Sequence, residues 1–175
     1  MLYTDELSSG GQNLNNSDIK LSAEEIVNRY SAMIYRLAYA RLGSKYDAED
    51  ITQEVLLKYI RADKTFKDEE HRKAWLLKVT VNAVKSFVSS AYNRHREEIE
   101  KAENVTYEME EPTGVADAVA KLPEKYRTVI HLFYFEELSV KQIAKISGNT
   151  EGTVKSQLTR GRDKLRQILE EGQYV

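Results

Sequence analysis

The chain has 175 residues, of which 41% are hydrophobic and 31% charged, and its formal net charge is −2 at pH 7. It has no cysteine, which excludes a disulfide framework and a thiolate metal site. We expect no direct membrane insertion, because no apolar run approaches the roughly 18 residues that span a bilayer and no signal-peptide pattern opens the chain. The small negative charge argues against a sequence-blind nucleic-acid coat, so a DNA-binding protein of this composition must segregate its charges or borrow positive charge from a partner.

The first predicted helix follows a polar segment, 1–20, whose Ser, Asn and Gly content is typical of a mobile tail. Ser22 and Glu25 form a capping-box pattern at the start of this helix, and Gly43 ends it after about Leu42. The apolar residues that recur along it at helical spacing are Ile26, Tyr30, Met33, Ile34 and Leu37. This spacing predicts one buried face.

The second predicted helix, 47–62, has an apolar face and an acidic-polar face. Asp47 is its expected N-cap, and acids in the first turn suit the helix dipole. The apolar face consists of Ile51, Val55, Leu56 and Tyr59. The polar face consists of Asp50, Gln53, Glu54 and Lys58.

The third predicted helix follows a connection, 65–71, that contains Phe66. It is expected to run from about Arg72 to Tyr92, and we expect Trp75 to pack in the core. Its apolar stripe consists of Leu76, Val79, Ala83 and Phe87. A second, polar face is predicted for residues that recur at intervals of four, three and four: Lys78, Asn82, Lys85 and Ser89.

Segment 97–117 contains eight acidic residues and a single lysine, together with Pro112 and Gly114. This composition predicts a solvated acidic linker, part of which can be helical. Because the linker is more negative than the whole chain, the remainder is net basic. We therefore expect an all-α fold of two small helical domains, 21–96 and 118–175, joined by this linker.

The C-terminal domain begins with a predicted helix over 123–136, whose first residue is a proline, as the start of a helix allows. A second capping box, Ser139 with Gln142, starts a short helix that Gly148 ends. Thr150 is expected to cap the last helix. The inner face of that helix consists of Val154, Leu158, Gly161, Leu165 and Ile168. A short helix, a glycine turn and a longer helix form the helix-turn-helix pattern.

The outer face of the last predicted helix offers groups that bind DNA. Between positions 150 and 169 it has five Lys and Arg residues against two acids, so it is locally basic. Basic side chains neutralise phosphates, and hydroxyl groups bind phosphates or base edges. The small residues Gly152 and Thr153 allow a close approach to the groove. The polar and basic residues further along are Lys155, Ser156, Thr159, Arg160 and Arg162. An ordinary helical hairpin with a solvated face is the alternative.

Three motifs, in the same order, resemble those of bacterial RNA polymerase sigma factors of the extracytoplasmic-function (ECF) type. Segment 47–62, DAEDITQEVLLKYIRA, is similar to the core-binding helix of that family. Segment 65–87, TFKDEEHRKAWLLKVTVNAVKSF, resembles the part that recognises and melts the promoter element near the start site. Segment 122–166 resembles the C-terminal domain, which binds the more distant element. The resemblance covers about 23–169.

The resemblance implies three sets of site residues. The residues implied to contact the polymerase are Asp50, Gln53 and Glu54. The −10 element is assigned to a loop that holds a flipped base, Phe66, Lys67, Asp68 and Glu69, and to two helix residues that contact melted DNA, Asn82 and Lys85. The −35 element is assigned to Gly152, Thr153, Lys155, Ser156, Thr159 and Arg160.

Each assignment has a simpler alternative. The acidic-polar face of 47–62 and the polar face of the third helix can be merely solvated, and Phe66 can be a buried residue of a helix connection. The chain also departs from the family pattern at two places. The connection is acidic where the family has a small loop that contains glycine, and Lys155 stands where the family has arginine, which makes the two-pronged guanine contact best.

Three classes of function compete. A promoter-specificity subunit needs segment 23–87, whereas a freestanding helix-turn-helix regulator needs a ligand pocket or a dimer seam there instead. An enzyme such as a nuclease is the third class. The three histidines are isolated and no glycine-rich phosphate loop exists, so no catalytic residue, metal or cofactor is expected. The resemblance implies core RNA polymerase, promoter DNA and an anti-sigma factor as partners, and a cytoplasmic location.

Overall fold

The computed structural model describes residues 21–62, 64–98 and 115–171, and seven α-helices occupy most of them. The helices are α1 (Ala23–Leu42), α2 (Lys45–Arg61), α3 (Glu69–Glu98), α4 (Val115–Ala120), α5 (Glu124–Tyr134), α6 (Val140–Ser147) and α7 (Glu151–Glu171). The described ranges contain no strand, so the all-α prediction is confirmed. The predicted tail 1–20 and most of the acidic linker lie outside these ranges.

The predicted helix caps are present at α1 and α6. The Ser22 side chain accepts a hydrogen bond from the Glu25 amide while the Glu25 carboxylate accepts one from the Ser22 amide, and Ser139 makes the equivalent capping box at α6. Gly43 and Gly148 end these two helices at φ 70° and 73°, in the left-handed region that glycine adopts at little cost. Short-range chemistry therefore sets both ends of α1 and α6.

Two predicted helix starts are wrong by two or three residues. The N-cap of α2 is Ser44, whose hydroxyl accepts a hydrogen bond from the Asp47 amide at 3.3 Å, so Asp47 lies in the first turn rather than at the cap. α3 begins at Glu69 instead of Arg72, and the Asp68 carboxylate accepts a hydrogen bond from the His71 amide at 2.7 Å. In each case a polar side chain just upstream caps the helix earlier.

A continuous hydrophobic core runs through both halves of the chain. α1, α2 and α3 pack on one another, and α5, α6 and α7 do the same. The two sets also meet directly, because α1 contacts α4 and α5 while α3 contacts α6. The two helical units are therefore docked together in this structure.

α3 is buried more widely than its predicted apolar stripe. Leu77, Val81 and Val84, which lie outside that stripe, are completely or almost completely buried. The reason is tertiary, because α3 packs against α1, α2 and α6 and so needs more than one apolar face.

No helix within 21–62, 64–98 and 115–171 has both the length and the apolar character needed to cross a membrane. The same described residues contain no group of three or more His, Asp or Glu side chains placed to hold a metal ion.

Candidate nucleic-acid interface

The helix-turn-helix consists of α6, the turn at Gly148 and α7. The Thr150 hydroxyl accepts a hydrogen bond from the Thr153 amide at 3.1 Å, which is the predicted cap of α7. Val154, Leu158 and Gly161 are buried against the rest of the domain. All six residues predicted to contact the −35 element are exposed: Gly152, Thr153, Lys155, Ser156, Thr159 and Arg160. The fold thus leaves this face of α7 available.

Gly161 allows α7 to approach α5 closely. A Cβ atom at this position would lie 3.1 Å from Ile130 Cγ1 and 3.3 Å from Tyr126 Cβ, both of which belong to the core. Such distances are shorter than ordinary van der Waals contact, so a Cβ atom at this position requires the side chains of Ile130 and Tyr126 to move away by a few tenths of an ångström. This contact fixes how far the outer face of α7 stands above the domain.

Two residues beside the predicted face were missed from the sequence. Lys125 of α5 and Gln157 of α7 line the same shallow concave surface as Thr153, Ser156 and Arg160. The Gln157 Oε1 atom is buried and has no hydrogen-bond partner within the described residues. Gln157 lies four residues after Thr153 and three before Arg160, a helical spacing that could have identified it, whereas Lys125 reaches this surface only through tertiary packing.

Arg162 does not belong to that surface. Its Nε donates a hydrogen bond to the Tyr134 hydroxyl at 2.8 Å, and its guanidinium lies over the rings of Phe133 and Tyr134 at 5.5 and 5.7 Å. Arg162 therefore braces α7 against the end of α5.

The predicted polar face of α3 is exposed along its length at Lys78, Asn82, Lys85 and Ser89. One of its residues nevertheless has a partner in the other half of the chain. Lys85 Nζ donates a hydrogen bond to the carbonyl oxygen of Ser147, the last residue of α6, at 3.2 Å. The turn of the helix-turn-helix thus lies beside one end of this face.

The side chain of Phe66 belongs to the core, and so the expectation that it faces a flipped base does not fit this packing. Phe66 is 5% exposed, and its ring stacks on Tyr59 at a centroid distance of 5.7 Å. Trp75 meets both rings edge-on, as expected of a core residue, and the Arg72 guanidinium lies over Phe66. An aromatic ring covered on both sides offers no face to a base.

Glu69 lies in the first turn of α3 and not in the preceding loop, where it was predicted. Its carboxylate accepts hydrogen bonds from the Tyr30 hydroxyl and from Arg72. Burial, together with the bond to Glu69, raises the pKa of Tyr30. These contacts tie the start of α3 to α1, and the exposed loop positions that remain are Lys67 and Asp68.

The predicted docking face of α2 is exposed at Asp50, Gln53 and Glu54. Two large apolar side chains continue it, because Leu57 is 47% and Ile60 41% exposed. The stripe at 50, 53, 57 and 60 follows helical spacing. Leu57 and Ile60 were not predicted to belong to the docking face. The sequence did offer a signal for them, because both are apolar and lie outside the apolar face predicted for this helix. The result is an exposed apolar patch beside polar and acidic residues, and an apolar patch with a polar border is typical of protein–protein contacts.

Comparison with known proteins gives the same family at both halves of the chain. The family model for sigma-70 region 2 matches residues 26–94, and that for sigma-70 region 4 matches residues 114–165. The first match covers α2 and most of α1 and α3, and the second covers α4, α5, α6 and most of α7.

Whole-chain relatives and a solved structure agree. The ECF RNA polymerase sigma factor SigW of Bacillus subtilis is 31% identical over 164 residues, which cover 83% of this chain and 87% of SigW. The RNA polymerase sigma factor SigV of the same organism is 31% identical over 135 residues, 75% of this chain and 81% of SigV. The sigma factor RpoE of Bartonella quintana, crystallised with the anti-sigma factor NepR, shares the fold with a TM-score of 0.67 at 23% identity, over 84% of this chain and 96% of RpoE.

The helix-turn-helix with an exposed basic face, the helices that precede it and the matches at both regions lead to one assignment. This chain belongs to the ECF family of bacterial RNA polymerase sigma factors.

Proposed function

We infer that this chain binds core RNA polymerase and directs promoter-specific initiation of transcription, with α7 at the −35 element and α3 at the −10 element. The observation that carries this inference is the exposed basic-polar face of α7, on a capped helix-turn-helix, in one chain with the helices that match sigma region 2. A freestanding regulator has no use for the exposed docking face of α2. The proposed role is binding and not catalysis, and the proposed location is the cytoplasm.

At the −35 element, α7 supplies both base and phosphate contacts. Lys155 and Arg160 are exposed cations on the helix that enters the major groove in this motif. Thr153 and Ser156 carry hydroxyl groups that can bind base edges or phosphates. Lys125 adds a cation from α5 at the edge of the same surface.

At the −10 element, the exposed face of α3 is the proposed contact with unpaired DNA. Asn82 can both donate and accept hydrogen bonds to a base edge, and Lys85 can hold the backbone. Phe66, Glu69 and the exposed loop residues Lys67 and Asp68 remain assigned to the base-capture region. Because the Phe66 ring is buried and Glu69 bonds to Tyr30, we propose that these two shape the loop and do not touch the base themselves.

The proposed partners follow from the surfaces and the family. The acidic-apolar face of α2, with Asp50, Gln53, Glu54, Leu57 and Ile60, is the proposed contact with core polymerase. An anti-sigma factor is a further proposed partner. Sigma factor RpoE of Bartonella quintana was crystallised with such a protein, NepR.

Run-off transcription with purified core polymerase over a genomic DNA library tests the function as a whole. We expect transcripts that start at a common two-element promoter motif only when the chain is added. Absence of any chain-dependent transcript would remove the assignment, and a recovered motif would supply the DNA for the tests that follow.

The docking face is tested by the double substitution Asp50→Lys and Glu54→Lys. We expect weaker co-purification with core polymerase at nearly unchanged helicity, because the exposed i,i+4 ion pair of Glu54 with Lys58 that the change removes is worth only about 0.3–0.5 kcal/mol. The matched control reverses two other exposed acids, Glu24→Lys and Glu49→Lys, which gives the same change in net charge. Equal losses in both proteins, or in neither, would refute the docking assignment.

The recognition helix is tested by Lys155→Ala and Arg160→Ala in binding to the recovered −35 duplex. A lost base contact is expected to cost about 1–3 kcal/mol and to relax specificity at one position, whereas a lost phosphate contact lowers the salt slope by about one. Lys141→Ala, an exposed lysine of α6, is the matched control. Wild-type binding by both test variants would contradict the proposed orientation of α7.

The melting face is tested by Asn82→Ala with permanganate footprinting of the bubble. We expect slower opening on the duplex promoter, and only partial rescue on a template whose −10 element is already unpaired, because the base contact is still missing. Ser86→Ala, at an exposed position of the same helix, controls for helix propensity. Wild-type opening by Asn82→Ala would show that this face is merely solvated.

A further inference from the structure

His71 has no role in the function proposed above, yet its side chain bonds to the base-capture region. It lies in the first turn of α3, and its Nδ1 atom accepts a hydrogen bond from the Lys67 amide at 3.3 Å. In the opposite direction, the His71 amide donates to the Asp68 carboxylate at 2.7 Å. Two reciprocal bonds therefore join the loop before α3 to the first turn of the helix.

This pair of bonds is a variant of the capping box. Asp68 is the N-cap of α3, because its carbonyl oxygen accepts a hydrogen bond from the Arg72 amide at 3.1 Å while its carboxylate binds the amide three residues on. In the usual box, the side chain at that third position bonds back to the amide of the N-cap residue. His71 instead reaches one residue further back, to Lys67. The bond thus holds the loop as well as the helix end.

The direction of this bond fixes the chemical form of the imidazole. A ring nitrogen that accepts a hydrogen bond carries no hydrogen itself, so His71 is neutral and its hydrogen lies on Nε2. A side chain without an acceptor at this point would leave the Lys67 amide to water. The identity of residue 71 therefore decides whether the loop backbone is held.

The ring of His71 also contacts the aromatic cluster beneath the loop. It meets the Phe66 ring edge-on, with 5.7 Å between the centroids and 73° between the planes. Phe66 in turn stacks on Tyr59 and meets Trp75, and all three rings belong to or pack on the core. The His71 ring is thereby anchored to the core while its Nδ1 atom holds the loop.

A fixed conformation matters most at the two exposed positions of the base-capture region, Lys67 and Asp68. A flexible loop loses backbone entropy when it closes on a ligand, and this loss weakens binding. A loop that is already ordered avoids that cost. Segment 65–71 contains no glycine, unlike the corresponding loop of the family, so its conformation depends on contacts that this chain supplies.

We propose that His71 is a positioning residue for recognition of the −10 element, which holds Lys67 and Asp68 in the conformation that meets the unpaired base and does not touch the DNA itself. The consequence for DNA rests on the proposed role of the base-capture region. The hold on the loop does not, because it is a property of the free chain.

Two substitutions separate the hydrogen bond from the ring contact. His71→Asn places an amide oxygen where Nδ1 lies, so it keeps the acceptor and loses the ring. His71→Phe keeps a ring beside Phe66 and loses the acceptor. His, Asn and Phe have similar helix propensities, so neither change should alter α3 through propensity alone.

The bond is tested by hydrogen exchange of the Lys67 amide, followed by NMR on the free full-length chain. We expect exchange about 2- to 10-fold faster in His71→Phe than in wild type, the factor that corresponds to one neutral hydrogen bond. His71→Asn should exchange at nearly the wild-type rate. The Lys73 amide, further along α3, is the internal reference and should be unchanged in both variants.

Two results of this measurement overturn the proposal. Unchanged exchange of the Lys67 amide in His71→Phe would show that the bond does not hold the loop. Equally faster exchange at Lys67 and Lys73 would show that residue 71 stabilises the helix as a whole and does not position the loop.

The effect on recognition is tested with core polymerase and each variant on a forked DNA that carries the recovered promoter with its −10 strand unpaired. We expect about 2- to 10-fold weaker binding with His71→Phe and nearly wild-type binding with His71→Asn. Binding of the free chains to the −35 duplex should be the same for both variants and wild type. This contrast is specific to positioning, because a general loss of structure would weaken both.

Two outcomes on the forked DNA contradict the proposal. Wild-type binding by His71→Phe, despite faster exchange at Lys67, would show that the ordered loop does not aid recognition. Weak binding by His71→Asn together with wild-type binding by His71→Phe would show that the ring itself stacks on DNA. Failure of the proposed function appears separately, as absence of transcription by wild type with core polymerase, and leaves the exchange result intact.

Discussion

The two proposed DNA-binding regions differ in how much of their surface is already committed to internal contacts. On α7 all six predicted residues are exposed and Arg162 braces the helix from behind. Around the start of α3 Phe66 is buried, Glu69 bonds to Tyr30, and further along Lys85 bonds to Ser147. A duplex reader can be rigid before DNA arrives, because the groove already exists. In this structure the region around α3 has more of its predicted contact residues engaged in internal contacts than α7 has.

The substitution Phe66→Ala is the strongest test of this difference between the two regions. If the ring is a core residue, its removal should lower the free energy of unfolding by about 3–5 kcal/mol, as for other buried aromatic residues. Denaturant unfolding of the free chain measures this. Tyr46→Ala is the control, because Tyr46 is 83% exposed and its loss should change stability by less than about 0.5 kcal/mol. Equal, small effects of both substitutions would show that the Phe66 ring is not a core residue. The ring would then be free to contact DNA.

A smaller effect is expected where α7 approaches α5. Gly161→Leu should destabilise the chain by about 1–3 kcal/mol, because Ile130 and Tyr126 occupy the space that the side chain needs. Gly152→Ala in the same helix is the control, since the nearest heavy atom to an added Cβ there is Thr150 Oγ1 at 3.9 Å. Alanine should raise helix stability at that position by up to about 1 kcal/mol. If Gly161→Leu is as stable as wild type, the rigid seating of α7 is wrong.

The smallest expected effect concerns acid titration of Glu136, a carboxylate just after α5 whose side chain is 3% exposed. The pKa of Glu136 is lowered in the folded chain, so its contribution to stability is present above the ordinary value of 4.5 and is lost as pH falls through the lower folded value. The groups that face it are Arg36, Lys73 and His131. We expect the stability difference between wild type and Glu136→Gln to shrink below pH 4.5. A difference that is independent of pH would mean that Glu136 is not a buried ionised group.

Local sequence patterns determined most of the secondary structure and the outer face of α7. The capping boxes at Ser22 and Ser139 and the glycine ends at Gly43 and Gly148 depend on residues only a few positions apart, and all four are present. The exposed face of α7 follows from helical spacing alone. The two early helix starts, at Lys45 and Glu69, show the limit of this approach, because several polar residues nearby could each have been the cap.

Contacts between distant parts of the chain decided the rest. Burial of Phe66 depends on Tyr59 and Trp75, and burial of Glu136 depends on Lys73 and Arg36, which lie 63 and 100 positions earlier. Periodicity states which residues share a face but not what covers that face. An isolated polar residue carries no signal of its own burial, because the penalty is offset only by partners that the fold brings together. The sequence by itself therefore determined the helices, the family motifs and the exposed outer face of α7, whereas the packing of the two helical units on each other and the burial around the start of α3 were decided by tertiary contacts.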